Sequence, residues 1–135
     1  SKIMYHIDTP KLAIYSYDYD ITKAEICNPH LAIDTKKHGY ESSPDGMTID
    51  SEGMLWVAFC HGGCVVRLEP LEKKELQRNY QPINETTYCT FAGDNLDRLF
   101  VTTGIKPNLV EADAGQVFVI DGLGVKGLPT TPYSA

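Results

Sequence analysis

The sequence predicts an all-β fold, and within that class a β-propeller, from three observations. Apolar and polar residues alternate at period two along most of the chain. The alternating runs are separated by turns rich in glycine, aspartate and asparagine. The strand groups recur at about 40 to 50 residues, the spacing of propeller blades.

The first group opens with Ile3-Met4-Tyr5-His6-Ile7 and turns through Asp8-Thr9-Pro10-Lys11. It continues as Leu12 to Asp20, where Tyr15, Tyr17 and Tyr19 fall on one face. Asp18 and Asp20 share the opposite face, as on an exposed strand edge, and are expected to be structural rather than calcium ligands. In the second group Met47-Thr48-Ile49 passes through Asp50-Ser51-Glu52-Gly53 into Met54 to Cys60. His61-Gly62-Gly63 then turns the chain into Cys64 to Leu68, which stops at Pro70. The third group runs Tyr88 to Phe91, turns through Gly93-Asp94-Asn95, and continues as Leu99 to Thr103. Val117 to Ile120 follows after a long loop. Leu71 to Asn79, short, charged and bounded by Pro70 and Pro82, is the one helix candidate and is expected to be an inter-strand connection.

Leu55-Trp56-Val57 and Leu99-Phe100-Val101 stand 44 residues apart, and Met4-Tyr5 and Leu55-Trp56 stand 51 apart. Three such units fill the 135 residues. Closed propellers take about four to eight blades, because an open fan leaves sheet edges unpaired. The expectation is one domain, residues 1–135, forming part of a larger propeller and needing the remainder of it as partner.

At 42% apolar residues the chain can bury a core, and its net charge of −6 argues against nucleic acid or an anionic membrane surface as partner. No apolar run approaches the roughly 20 residues that span a bilayer. The opening SKIMYHID reads as a strand rather than a signal peptide, so a cytoplasmic protein is expected. Cys27, Cys60, Cys64 and Cys89 are expected as buried free thiols, and the sequon Asn84-Glu85-Thr86 as a chance match.

Ser43-Pro44-Asp45-Gly46-Met47 has the form of the start of a blade's innermost strand, where propellers line their channel. Pro44 fixes the approach of the chain and Gly46 lets the backbone crowd a neighbour. An acid pointing along the channel needs a compensating partner, and a hard divalent cation is one. From spacing alone, Asp45 reads first as a plain Asp-Gly turn and second as such a ligand. An EF-hand is excluded, since the loop lacks alternating acids and a closing glutamate. Asp50-Ser51-Glu52-Gly53 is expected to be a hairpin turn. Cys60-His61-Gly62-Gly63-Cys64 offers three soft ligands in five residues. It lacks a second pair at zinc-finger spacing and is expected to be a tight hairpin. His6, His30 and His38 are scattered, and no nucleophile triad assembles.

Ordered motifs along the whole chain resemble the family of regucalcin (senescence marker protein), gluconolactonases and insect luciferin-regenerating enzymes. They are Tyr5-His6-Ile7-Asp8, Tyr17-Asp18-Tyr19-Asp20, Pro44-Asp45-Gly46-Met47 and Ile49-Asp50-Ser51-Glu52-Gly53. Leu55-Trp56-Val57-Ala58, Gly62-Gly63, Val66-Arg67-Leu68, Thr86-Thr87 and the tail Gly122-Leu123-Gly124-Val125-Lys126-Gly127 complete the set. The resemblance covers the C-terminal half of a family member and implies a six-bladed propeller with one divalent ion, Ca, Zn, Mn or Mg, in its channel. A glutamate, an asparagine and an aspartate hold that ion in the family. The aspartate maps to Asp45, while the glutamate, the asparagine and the sugar-holding residues belong to the half that precedes this chain.

The implied chemistry is hydrolysis of a small sugar lactone, with Asp45 as both metal ligand and general base. The isolated chain is then expected to be inactive. Thr87 and Tyr88, at the head of an inner strand, are substrate-channel candidates. Tyr88 stands where such sequences usually carry a small residue, and Cys64 where an arginine is common. Two alternatives stay open: a non-catalytic calcium-binding regulatory protein, and a luciferin-regenerating type of enzyme acting on an aromatic heterocycle.

Overall fold

The alternating runs fold into antiparallel strands that gather in three sheets, seen in a computed structural model that describes residues 2–130. Ser1 and residues 131–135, the ends of the expected domain, lie outside the described residues. The first sheet holds β1 (Lys2–Asp8), β2 (Ala13–Asp20) and β3 (Glu25–Asp34), with β2 in the middle. The second holds β4 (Ser43–Ile49), β5 (Leu55–Cys60), β6 (Cys64–Glu69) and β7 (Lys74–Tyr80) in sequence order. The third holds β8 (Thr86–Ala92), β9 (Arg98–Thr103) and β10 (Val117–Ile120), with β9 in the middle. Each sheet is a meander of neighbouring strands, the form of a propeller blade.

The second sheet is covered on both faces, and β5 shows how sequence serves both. Leu55, Val57 and Phe59 point to one side, into a core shared with Ile14 and Ile33 of the first sheet and Val66 and Leu68 of β6. Trp56 and Ala58 point to the other, into a core with Val65, Cys89, Phe91, Leu99 and Val101. That is why this strand reads as a continuous apolar run rather than an alternation. The 3₁₀ turn Thr9–Lys11 links β1 to β2, with Pro10 near its start and Leu12 closing it at φ 53°. Thr9 Oγ1 donates to the carbonyl of Pro44 at 2.9 Å, tying this turn to the head of β4.

Three expectations are corrected. Leu71 to Asn79 is neither helix nor plain connection: most of it is β7, the outer strand of the second sheet, paired to β6 through Arg67↔Gln77 and Val66↔Arg78. Asp18 and Asp20 do not lie on a sheet edge, because β3 covers that side of β2. Asp18 Oδ2 accepts from Asn28 Nδ2 at 2.8 Å, and Asp20 Oδ1 accepts from the Thr22 amide at 2.9 Å and hydroxyl at 2.6 Å, closing the β2–β3 turn. All four cysteines are free, but only Cys64 and Cys89 are buried, while Cys27 is exposed on β3.

The tail motif crosses back beneath the second and third sheets. Ser51 N–H donates to the Lys126 carbonyl and Gly127 N–H to the Leu96 carbonyl, both at 2.8 Å. Leu123 and Val125 pack on the second core. A Cβ at Gly127 would overlap the Phe91 side chain, so the crossing needs glycine there.

Candidate functional site

Asp45 lies in β4 just after its head, at an interruption of the β4–β5 ladder between Pro44 and Met47. Opposite it, β8 has its own interruption between Thr86 and Tyr88. The two irregular strand heads fit closely. A Cβ on Gly46 would overlap the Tyr88 ring and come within 2.8 Å of the Thr87 carbonyl. Glycine is thus what lets β4 and β8 meet beside Asp45. Asp45 is exposed, and among the described residues no hydrogen-bond donor reaches its carboxylate. Desolvation first, and then the charge of Glu85, raise its carboxyl above the ordinary value.

The other two channel candidates are beside it. Tyr88 covers Gly46 and is 46% exposed. Thr87 Oγ1 lies 2.8 Å from Thr102 Oγ1 and donates to the Thr102 carbonyl at 3.1 Å, so its hydroxyl is engaged across β8 and β9.

At the same end of the second sheet is a cluster that the spacing of the cysteines did not reveal. Cys60 ends β5, opposite Ser43 of β4, and also forms an isolated bridge to Glu85, just before β8. Cys60 Sγ–H donates to Glu85 Oε2 at 2.9 Å, and His61 Nδ1 lies 2.8 Å from Glu85 Oε1. Lys106 Nζ is 3.7 Å from Oε1. The bond from Cys60 chiefly, against the cost of burial, and then His61 and Lys106 hold the Glu85 carboxyl below its ordinary value. Burial, the bond to Glu85 and the charges of Glu85 and Asp45 push the Cys60 thiol up to about 12. A protonated thiol bonded to a carboxylate rather than to an imidazole is no nucleophile. Cys64, the other half of the C-x3-C pair, points away into the core among Phe59, Tyr40 and Val66.

Asp50, at the far end of β4, is a turn residue, as expected, but also a buried hub. Its Oδ1 accepts the amides of Glu52 at 2.9 Å and Met54 at 3.0 Å. Its Oδ2 accepts Trp56 Nε1 at 2.9 Å and Arg67 Nε at 2.8 Å. Every donor is internal, so this acid has nothing left for a ligand.

The donor that this chain would supply to a divalent-ion site fits such an ion: Asp45 offers exposed carboxylate oxygens that no internal donor occupies. A pocket of about 540 Å³ lined by Lys2, Asp18 to Ile21 and Cys27 lies away from Asp45. No helix among the described residues is long and apolar enough to cross a membrane.

Comparison with known proteins fits this geometry to a family. The family model described as "SMP-30/Gluconolactonase/LRE-like region" matches residues 1–105. Regucalcin from Sus scrofa is 42% identical over 98% of the chain, which spans 46% of that relative. Regucalcin from Homo sapiens is likewise 42% identical over 98% of the chain, which spans 45% of it. A solved luciferin-regenerating enzyme superposes with a TM-score of 0.84 at 36% identity, over 94% of this chain and 43% of its own. A calcium-binding protein, regucalcin, from Agrobacterium tumefaciens superposes with a TM-score of 0.81 at 26% identity, over 93% of this chain and 43% of its own. These neighbours are six-bladed propellers, so the three sheets are about three blades of one. The chain spans less than half the length of the relatives it matches, and it belongs to the SMP-30/gluconolactonase/LRE-like family.

Proposed function

We propose that this chain contributes the aspartate of a divalent-metal-dependent hydrolase that opens a small sugar lactone. Asp45 carries the reading: a carboxylate at the head of an innermost strand, free of internal donors, with its carboxyl raised by desolvation and by Glu85. Family membership supports the fold and the lactonase prior, while the calcium-binding description of a structural neighbour supports a divalent ion. The remaining ligands and the residues that hold the sugar would come from the complementary half of the propeller, the partner this chain needs.

A divalent ion, when bound, supplies Lewis-acid polarisation of the lactone carbonyl. The residues of this chain do the rest of what is assigned to it. Asp45 offers carboxylate oxygen to hold the ion and accepts a proton from the attacking water, for which a raised carboxyl is better suited than an ordinary one. The oxygen of that water bonds to the carbonyl carbon. The ring C–O bond then breaks, and the leaving oxygen takes the proton back from Asp45, giving an open hydroxy acid. Tyr88 and the backbone of Thr87, packed against Gly46, stand next to Asp45 and would border the substrate on that side.

Tyr88 also favours a second reading, an aromatic heterocycle as substrate, since a half-exposed ring beside the acid offers a stacking surface. The test is hydrolysis of sugar lactones by the full-length protein with Ca, Zn, Mn or Mg, beside Asp45→Ala. Activity lost in the variant supports the assignment. Metal binding without turnover of any lactone would leave a calcium-binding regulator instead, and unchanged metal affinity in Asp45→Ala would remove Asp45 from the site.

A further inference from the structure

The geometry points to a second cation site, distinct from the Asp45 ligand position, in which Cys60, His61 and Glu85 bind a zinc-like ion at the junction of the second and third blades. One ligand atom from each residue lies within 4.8 Å of the others. A tetrahedral zinc with bonds of about 2.0–2.3 Å spaces its ligands about 3.3–3.8 Å apart. Cys60 Sγ stands 2.9 Å from Glu85 Oε2 and His61 Nδ1 2.8 Å from Glu85 Oε1, so each of these edges is short of a zinc edge by less than about 1 Å.

The backbones of the three ligands are already fixed. Cys60 is paired to Ser43 on one side and bridged to Glu85 on the other. The Gly63 amide donates to the Asn84 carbonyl at 3.2 Å, and the Gly104 amide donates to the Glu85 carbonyl at 2.8 Å. His61 sits at φ 66°, a left-handed turn position that asparagine or glycine fills more easily, and this backbone brings its ring over Glu85.

Charge and ligand type select the cation. Glu85 is buried, and the nearest full positive charge is the half-exposed Lys106 at 3.7 Å. A divalent ion bound directly would neutralise its carboxylate more completely than that lysine. Thiolate and imidazole favour zinc over calcium, whose ligands are oxygens. On binding, the Cys60 thiol proton leaves to solvent and the neutral His61 ring carries its proton on Nε2, so that Sγ, Nδ1 and a Glu85 oxygen face the ion. Three protein ligands leave a fourth position open. An ion there clips the β5–β6 hairpin to the head of β8, stiffening the wall beside Asp45.

Cobalt titration of the full-length protein tests this, because a thiolate ligand gives a sulfur-to-cobalt charge-transfer band that oxygen ligands do not. The expected result is a band displaced by zinc but not by excess calcium, absent in Cys60→Ser and retained in Asp45→Ala. His61→Asn, which suits φ 66° and so spares the fold, should weaken cobalt binding by about tenfold or more. No band in the wild type, an undiminished band in Cys60→Ser, or unchanged affinity in His61→Asn would each overturn the proposal. So would loss of the band in Asp45→Ala, since the two sites would then be one. The lactonase reading stands or falls separately, on turnover.

Discussion

One aspartate lies near the head of β4 and another directly follows its last residue, and the two carboxylates have opposite surroundings. Asp50 is 0% exposed and accepts hydrogen bonds from the backbone of Glu52 and Met54, the indole of Trp56 and the guanidinium of Arg67. Asp45, five residues earlier, is exposed and meets no donor among the described residues. In sequence both belong to ordinary turn signals. What separates them is the number of donors the fold brings: four make Asp50 a structural hub, and none leaves the exposed Asp45 carboxylate unengaged by its own chain. An acid is available for a ligand to the extent that its own protein has not already satisfied it.

The sharpest way to break this comparison is to remove each carboxylate in turn. Asp50→Ala strands the buried Trp56 N–H and one face of Arg67, and should cost about 3–5 kcal/mol. Asp45→Ala in metal-free protein should change stability by about 0.5 kcal/mol or less. Urea unfolding of the full-length protein measures both, and losses of equal size would end the distinction. Gly46→Ala comes next. Its methyl group would overlap Tyr88, with an expected cost of about 1–3 kcal/mol. Adding Tyr88→Ala should recover only part of that, because the Thr87 carbonyl, 2.8 Å from the new atom, remains. Complete recovery would mean that a side chain, not the strand-to-strand approach, sets the position of Asp45.

A smaller effect should follow from pH. Burial raises the Asp50 carboxyl, but bonds from Trp56, Arg67, Met54 and Glu52 outweigh it and hold the group below its ordinary value. A group depressed in the folded state stabilises above its unfolded pKa, near about 3.9, and loses that contribution as pH falls through the lower folded value. Urea midpoints of the wild type should therefore drop below about pH 4 more steeply than those of Asp50→Asn. Parallel curves would mean that Asp50 is not ionised in its hub.

The inner strands were legible because each must satisfy a packed face. Leu55 to Phe59 serves two cores, and its turns carry Asp-Ser-Glu-Gly and His-Gly-Gly. The outer strands β3 and β7 were not. Each has a neighbour on one side only, both are largely exposed, and solvent imposes no alternation on Lys-Glu-Leu-Gln-Arg-Asn-Tyr. Pro29 even lies within β3, where the pairing skips from His30 to Cys27, a place an outer strand tolerates. At the candidate site, the expectation for Asp45 came from Pro-Asp-Gly and from resemblance. Glu85 was not legible, because its contact with Cys60 joins residues 25 apart on two different blades. The C-x3-C spacing pointed instead to Cys64, which strand alternation sends into the core.

The finest test compares two acids on one cation. Arg67 donates through Nε to Asp50 at 2.8 Å and through Nη2 to Glu52 at 2.6 Å, so both pairs have good geometry. They differ in solvent: the Asp50 side chain is fully buried, whereas that of Glu52 is 61% exposed. Water and salt screen the second pair and can replace it when it is lost. Glu52→Gln should therefore cost about 0–1 kcal/mol, and less at high salt, although it touches the same guanidinium whose other partner is worth several times more. The Trp56 ring beneath Arg67, 5.9 Å from the guanidinium carbon, also keeps the arm in place without Glu52. If Glu52→Gln destabilised the protein as much as Asp50→Ala, distance and partner type would govern these acids. Donor count and burial would then no longer explain why one end of β4 is structural and the other is open.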